Sequence, residues 1–381
     1  MKTAVVGTGF IGPAHVEALV RLGIGVKGIW DVFPEKAAAA VAAWGLERAY
    51  RSYEEMLGDR EVDCVHIASP NKFHAEQAIM AIEAGKHVVI EKPLAMTSKE
   101  AAAVLRAARK RPNLVAAVNF NIRFYPLNLD LHERISGGAL GRVYHVRGAY
   151  LQDWLYFPDD FNWRLLPGEG GTSRAVGDIG THWLDLVGFL TGLKLEAVMA
   201  DLKTVHPVRQ RPVGEVETFK DKEKGVKKIQ RKPIRITTED YGTILLRYKG
   251  GIPGVLTVSQ VNAGRKNRLE YEIAGSKSAA GWVSERPEEM WLGSRTKPNE
   301  VLLRDPSLLE ADARAHTNYP GGHAEGFPDT FKQLYRAVYR DIQAGKPSPK
   351  PLYATLEDGH FMDLVVEAIL ESNRKKGWVR V

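Results

Sequence analysis

The sequence has a single cysteine in 381 residues, Cys64, so no internal disulfide can form and a cytoplasmic compartment is expected. No apolar run approaches the ~20 residues of a membrane-spanning helix, and no membrane partner is expected. No signal peptide is visible: Met1-Lys2 runs straight into Thr3-Ala4-Val5-Val6, which reads as a strand. No internal repeat appears. Hydrophobic residues make up 44% and charged residues 26%, ordinary values for a globular protein with room for two cores.

An excess of one charge is also missing over most of the chain. The formal net charge is +7. Eleven Lys/Arg and four Asp/Glu fall within residues 203–235 and account for all of it. A local basic stretch is a weaker nucleic-acid signal than a basic fold, and no nucleic acid is expected. Residues 203–232 are poor in apolar side chains and read as a mobile, solvated excursion.

What is present is alternation. Strand patterns at residues 2–6, 25–30, 62–68, 87–90 and 114–118 are short and apolar, as in parallel sheets buried on both faces. Helical stretches at 13–22, 35–43, 74–84 and 98–110 lie between them. Gly23, Gly45 and Gly85 suit helix C-terminal positions. The fold class is α/β: a doubly wound parallel sheet over residues 1–124, then a second domain over 125–381. The second domain predicts helices near 128–136 and 178–190, and strands at 142–150, 243–248, 254–261, 268–273 and 290–292. Helices follow at 327–344 and 355–372, and a C-terminal helix at about 354–373 is expected to pack back toward the first domain.

Gly7-Thr8-Gly9-Phe10-Ile11-Gly12 stands between the first strand and the first helix. Its glycines permit the turn, the approach of backbone amides to a pyrophosphate, and close helix packing. Gly7, Gly9, Phe10, Ile11 and Gly12 are therefore cofactor candidates. Asp31, after the second strand, suits two ribose hydroxyls and repels a 2′-phosphate, which favours NAD over NADP.

Further candidates follow later strands. Ser69-Pro70-Asn71 with His74 follows the third, as a cofactor contact or as a turn whose Ser69 or Asn71 caps the next helix. Lys92, in Glu91-Lys92-Pro93, follows the fourth; Pro93 restricts it to extended backbone, and its ammonium suits charge forming on a substrate oxygen. Asp178 and His182 share a face if the helix starts near Asp178. A carboxylate beside an imidazole raises its basicity, as a general base for an alcohol needs; an N-cap and a buried polar residue are the alternatives. A metal would need a third ligand, such as His323 or Glu325, and none is expected. The 319–327 loop around His323 can line a sugar pocket or cap a helix. Trp154, Tyr156, Phe157, Phe161 and Trp163 can stack on a sugar or pack on the cofactor domain.

On the Glu91-Lys92-Pro93 and Asp178-x-Gly180-x-His182 motifs, the chain resembles the Gfo/Idh/MocA family over nearly its whole length. The resemblance implies a Rossmann domain joined to an α/β domain with a large open, mostly antiparallel sheet, which serves as the contact in a homodimer or homotetramer. It implies Lys92, Asp178 and His182 as catalytic, with His182 the proton acceptor. Trp163-Arg164 resembles the family's pair near the nicotinamide, and Asn119 with Arg123 the segment after the fifth strand. Glu91 and Asn119 join the cofactor candidates; Arg123, Tyr125, Asp153 and His323 are the substrate candidates. The approach to the motif, Gly170-Gly171-Thr172-Ser173-Arg174-Ala175-Val176-Gly177, and the segment Gly322-His323-Ala324-Glu325-Gly326 resemble a branch with sugar, inositol and levoglucosan-type dehydrogenases. Arg174 and the basic stretch leave room for an acidic or phosphorylated sugar. The expected activity is NAD-dependent hydride transfer at a secondary hydroxyl of a sugar, anhydrosugar or cyclitol. NAD-assisted glycoside cleavage without net oxidation and a non-catalytic sugar sensor stay open.

Overall fold

A computed structural model describes residues 1–214 and 230–381. The chain divides into two compact units. The first comprises Met1–Asn121, Gly168–Gly171 and Pro328–Asp363; the second comprises Ile122–Pro167, Thr172–Phe327 and Leu364–Val381.

The first unit holds a six-stranded sheet of β1 (Lys2–Val6), β2 (Gly25–Trp30), β3 (Arg48–Ala49), β4 (Val62–Ile67), β5 (His87–Ile90) and β6 (Ala116–Val118). The order is β3-β2-β1-β4-β5-β6, and every pair is parallel. Most of these strands bury nearly every residue, which is why they read as unbroken apolar runs. The two-residue β3 and the short helix Tyr53–Gly58 carry too little pattern to be read in advance. Helices Gly12–Arg21, Pro34–Trp44, His74–Glu83 and Ser98–Arg109 fall within a residue or two of expectation. The last is started by a capping box between Thr97 and Glu100. Gly23, Gly45 and Gly85 have φ of +71°, +62° and +78°, the left-handed conformation that ends helices.

Strand order reverses at β1, with β2 on one side and β4 on the other. Ligands of doubly wound sheets bind outside the carboxyl ends of the strands at such a point. Gly7 follows β1, Ala68-Ser69 follows β4, Glu91-Lys92 follows β5 and Asn119 follows β6. Local folding thus brings the first unit's candidates to one sheet edge.

The second unit holds a nine-stranded sheet. Its strands are β7 (Val143–Leu151), β8 (Leu195–Lys203), β11 (Tyr241–Tyr248), β12 (Ile252–Ser259), β13 (Arg268–Gly275), β14 (Ala279–Val283), β15 (Glu289–Gly293), β16 (Glu300–Leu303) and β17 (Val379–Arg380). Only β7 and β12 pair in parallel. β8 was not anticipated, because Leu-Glu-Ala-Val-Met-Ala-Asp-Leu-Lys is rich in helix formers; pairing with β11 overrides that propensity.

One expectation needs correction. The 203–232 stretch is not simply a solvated excursion at its roots. β9 (Val208–Pro212) and β10 (Arg231–Arg235) form an antiparallel ribbon, and Arg209 is fully buried. The middle of the basic stretch, residues 215–229, lies outside the described residues. The 178–190 helix also starts differently: a π-helical turn, Val176–Gly180, leads into the α-helix Thr181–Thr191. Among the described residues, no helix is long and apolar enough to cross a membrane.

Candidate active site

The glycine loop separates three demands. Gly7 has φ +94°, and a Cβ there would lie 2.7 Å from the Ala68 carbonyl oxygen. A Cβ on Gly12 would lie 2.3 Å from the Gly7 carbonyl oxygen. Packing therefore requires both glycines. A Cβ on Gly9 would meet nothing within 4 Å, so the protein's own packing does not call for glycine there. A ligand approaching the backbone would call for it. The following helix, Gly12–Arg21, has no side-chain cap and no acid in its first turn, which leaves its amides and dipole suited to a phosphate. Asp31 Oδ2 accepts from the Thr8 amide at 2.8 Å and the Thr8 hydroxyl at 2.7 Å, tying β2 to the loop. Phe10 is exposed and Ile11 half-buried. These features fit a dinucleotide.

Glu91 is the hub of a buried network. Its Oε1 accepts from His15 Nε2 at 3.0 Å and from the Asn119 amide. Burial alone would raise its carboxyl; the hydrogen bond and charge of His15, the Asn119 bond and the Lys92 ammonium outweigh it and hold Glu91 at about 2. His15 Nδ1 meets His66 Nδ1 at 3.0 Å and the Tyr335 hydroxyl at 2.8 Å, and His66 Nε2 meets the Tyr339 hydroxyl at 3.0 Å. Burial, then His15, holds His66 well below the usual imidazole range, so it stays neutral. Asn119 Oδ1 is buried without a hydrogen-bond partner, an acceptor that suits a carboxamide such as that of nicotinamide.

Lys92 is half-buried, its amide donates to Glu91 Oε2 at 3.3 Å, and the Lys92-Pro93 peptide is cis. His74 is buried; Nδ1 faces the Pro93 carbonyl at 2.7 Å and Nε2 the Ser69 carbonyl at 2.8 Å. It therefore clamps the loop after β4 to the loop after β5. Ser69 donates to Gln77 Oε1 at 2.6 Å, and Asn71 donates to the Gly170 carbonyl at 3.1 Å. Pro70 immediately precedes the 3-10 turn Asn71–Phe73.

In the second unit, the π-turn carries Asp178 directly into the helix of His182. Gly180 between them packs on β12: a Cβ there would be 3.3 Å from Val258 Cγ1. Asp178 Oδ2 accepts from Gln260 Nε2 at 2.8 Å, and Oδ1 lies 3.4 Å from Arg164 Nε. The Arg164 guanidinium sits over the Trp163 ring at 4.4 Å. His182 is 8% exposed, with the Tyr150 ring 6.3 Å from its own. Burial, with Tyr125 and Asp178 nearby, raises the Tyr150 phenol, which donates to Asn267 Oδ1 at 2.7 Å. Tyr125, Tyr150, Asp178 and His182 thus form one neighbourhood.

Other candidates have partners of their own. Arg123 Nε donates to Asp185 Oδ2 at 2.8 Å, both are buried, and the guanidinium packs over Phe189. Asp153 Oδ2 accepts from Lys266 at 2.7 Å and from the Gly264 amide at 3.1 Å. His323 is exposed, in a loop held by buried Arg304, which donates to the carbonyls of Tyr319 at 2.7 Å, Pro320 at 3.2 Å and His323 at 2.5 Å. In the 154–163 segment, Trp154 and Phe161 pack on Leu155, Leu165 and Ile236, while Tyr156 and Phe157 stay exposed.

Arg174 corrects an expectation. It is 1% exposed and spends its donors on Asp240, Gln260 and Thr238, so it offers nothing to an acidic sugar. Sequence reading passed over Gln260, Arg209, Arg304, His15 and His66. Only His15 carried a signal: it falls on the buried stripe of its helix with Gly12, Val16 and Leu19. Among the described residues, no three His, Cys, Asp or Glu side chains gather as a metal site.

Known proteins match the chain over its whole length. Residues 1–120 match the oxidoreductase family with an NAD-binding Rossmann fold, and residues 129–280 match the GFO/IDH/MocA C-terminal domain. Levoglucosan dehydrogenase of Pseudarthrobacter phenanthrenivorans is 30% identical, over 100% of this chain and 98% of its own. A solved structure of levoglucosan dehydrogenase in complex with NADH superposes with a TM-score of 0.88 at 29% identity, over 100% of this chain and 99% of that one. An inositol dehydrogenase homologue complexed with NAD+ from Azotobacter vinelandii gives a TM-score of 0.85 at 25% identity, over 100% and 97%. With its 3-2-1-4-5-6 parallel sheet, its glycine loop and both of its motifs, the chain belongs to the Gfo/Idh/MocA family of NAD-binding oxidoreductases.

Proposed function

We propose that this oxidoreductase transfers a hydride between a secondary hydroxyl of a sugar, anhydrosugar or cyclitol and NAD. The observation that carries the reading is the Asp178–His182 turn: a buried imidazole four residues from a carboxylate that accepts from Gln260 on one oxygen and lies 3.4 Å from Arg164 Nε on the other. A carboxylate beside an imidazole favours its basic role, which suits His182 to take the hydroxyl proton. Lys92 places an ammonium on the oxygen as charge builds there. NAD, when bound, accepts the hydride. Gly7, Gly9, Phe10, Ile11 and Gly12 would hold its pyrophosphate, and Asp31 its ribose. Asn119 Oδ1 would suit its carboxamide, and Trp163 and Arg164 are further cofactor candidates. Ser69, Pro70 and Asn71 would border it, with Glu91 and His74 shaping the loop behind. Tyr125, Arg123, Asp153 and His323 are the substrate-contact candidates. The levoglucosan and inositol dehydrogenase relatives support the hydroxylated-ring class. The lone buried Cys64 fits a cytoplasmic setting.

The test is a pair of variants. Lys92→Ala and His182→Ala should each lose about 100-fold or more in kcat while binding NAD as the unaltered protein does. Lost NAD binding with unchanged single-turnover chemistry would refute the assigned roles.

A further inference from the structure

Gln260 follows directly on β12, and its side chain is fully buried. Its Nε2 donates to Asp178 Oδ2 at 2.8 Å, and its Oε1 accepts from Arg174 Nη1 at 2.9 Å. A guanidinium can only donate. Arg174 therefore fixes which way the amide points: oxygen toward itself, NH2 toward Asp178. The backbone is held as well, by Gln260 N to the Asp240 carbonyl at 3.0 Å and Leu155 N to the Gln260 carbonyl at 3.2 Å.

The anchor extends further. Asp240 pairs with Arg174 and accepts from Arg209 Nη2 at 2.7 Å. Burial would raise the Asp240 carboxyl; the two guanidiniums and the His206 amide outweigh it and hold it low. Arg209 also donates to the carbonyls of Leu155 at 2.9 Å, Phe157 at 2.8 Å and Asp160 at 3.2 Å. Those carbonyls belong to the segment that leads to Arg164, whose Nε lies 3.4 Å from Asp178 Oδ1. Buried Gln260 thus donates to one oxygen of Asp178, and the segment braced by Arg209 leads on to Arg164, whose guanidinium faces the other.

We propose that Gln260, anchored by Arg174, Asp240 and Arg209, is a positioning residue that holds Asp178 as a hydrogen-bond acceptor. Asp178 then acts as a fixed negative charge beside His182 and not as a proton donor. The catalytic part rests on the dehydrogenase reading; the polarity of the hydrogen bonds does not. The charged and titratable groups of this unit around the turn include Arg164, Arg174, Arg209, Glu239, Asp240, Tyr125, Tyr150 and His182.

Two substitutions in the full-length protein test it. Gln260→Met removes the donor without adding charge. Gln260→Glu keeps an acceptor for Arg174 but turns a second acceptor toward Asp178, so the two carboxyls must share a proton. Gln260→Met should lower kcat about 10- to 100-fold, the value of one hydrogen bond to a charged group, with NAD affinity unchanged. Gln260→Glu should move the acidic limb of the kcat profile upward by about one pH unit or more. Carbon-13 carboxyl NMR, with Asp178 assigned by its loss in Asp178→Asn, reads the same change without turnover: Asp178 should titrate higher in Gln260→Glu than in the unaltered protein. Equal titration in both, or wild-type kcat in Gln260→Met, would overturn the proposal. An unaltered protein that turns over no sugar would sink the dehydrogenase reading, and the NMR comparison would still decide the network. Should Gln260→Met not fold, Gln260→Glu carries the test alone.

Discussion

Replacing Glu91 with Gln should weaken the first unit in a way that depends on pH. The carboxyl lies at about 2 against an ordinary 4.5. At about 1.4 kcal/mol for each factor of ten, this is on the order of 3 kcal/mol of stability. A carboxyl held low in the folded state contributes fully above its unfolded value, and the contribution fades as pH falls from 4.5 toward 2. Glutamine keeps the shape and one acceptor but cannot carry the charge that His15, Asn119 and Lys92 favour. His66, buried and neutral, also costs stability as pH falls below the usual imidazole range, but it does so in both proteins and drops out of the difference. Amide hydrogen exchange of β4 and β5 reads the first unit locally. Protection in Glu91→Gln should be about 100-fold lower than in the unaltered protein at pH 7, and only about tenfold lower at pH 3. An equal deficit at both pH values, or none at pH 7, would refute the charge argument.

Two further substitutions separate packing from binding in the glycine loop. Gly9→Ala should leave the thermal midpoint unchanged and weaken NAD binding at least about tenfold, because the added Cβ meets only a bound ligand. Gly12→Ala should lower the midpoint itself, since its Cβ would press on the Gly7 carbonyl; calorimetry with and without NAD distinguishes the two. A homodimer or homotetramer through the large sheet is our proposal for assembly. Leu245, Val255, Arg147, Glu272, Trp291 and Val301 occupy one cross-strand row, with Leu245, Trp291 and Val301 substantially exposed. Sedimentation should show a multimer that Trp291→Glu dissociates; a monomer at micromolar concentration would contradict it.

The parallel sheet was legible because its strands are buried on both faces and punctuated by glycine and proline. The candidate residues at its carboxyl edge were legible because each follows a strand directly. The spacing of Asp178 and His182 led to a helical segment, which Asp178 enters in a π-helical turn and His182 continues in the α-helix. What stayed hidden depends on distant partners. Gln260 meets Asp178 across 82 positions, and Arg174 meets Asp240 across 66. Arg174 looked like a charge aimed at substrate because sequence does not show that Asp240, Gln260 and Thr238 satisfy its donors in the interior. The basic stretch looked wholly solvated for the same reason: Arg209 is indistinguishable from its neighbours until β9 turns it inward. β8 was hidden by its helix-forming composition.

The most direct test of the central claim is near-ultraviolet absorbance of reduced nicotinamide in purified protein mixed with NAD or NADP. The panel is inositols, aldoses, anhydrosugars and sugar phosphates. The account predicts a substrate-dependent rise with NAD, smaller with NADP, for at least one uncharged hydroxylated ring. No rise with any member while NAD binds, or a rise confined to sugar phosphates, would contradict it.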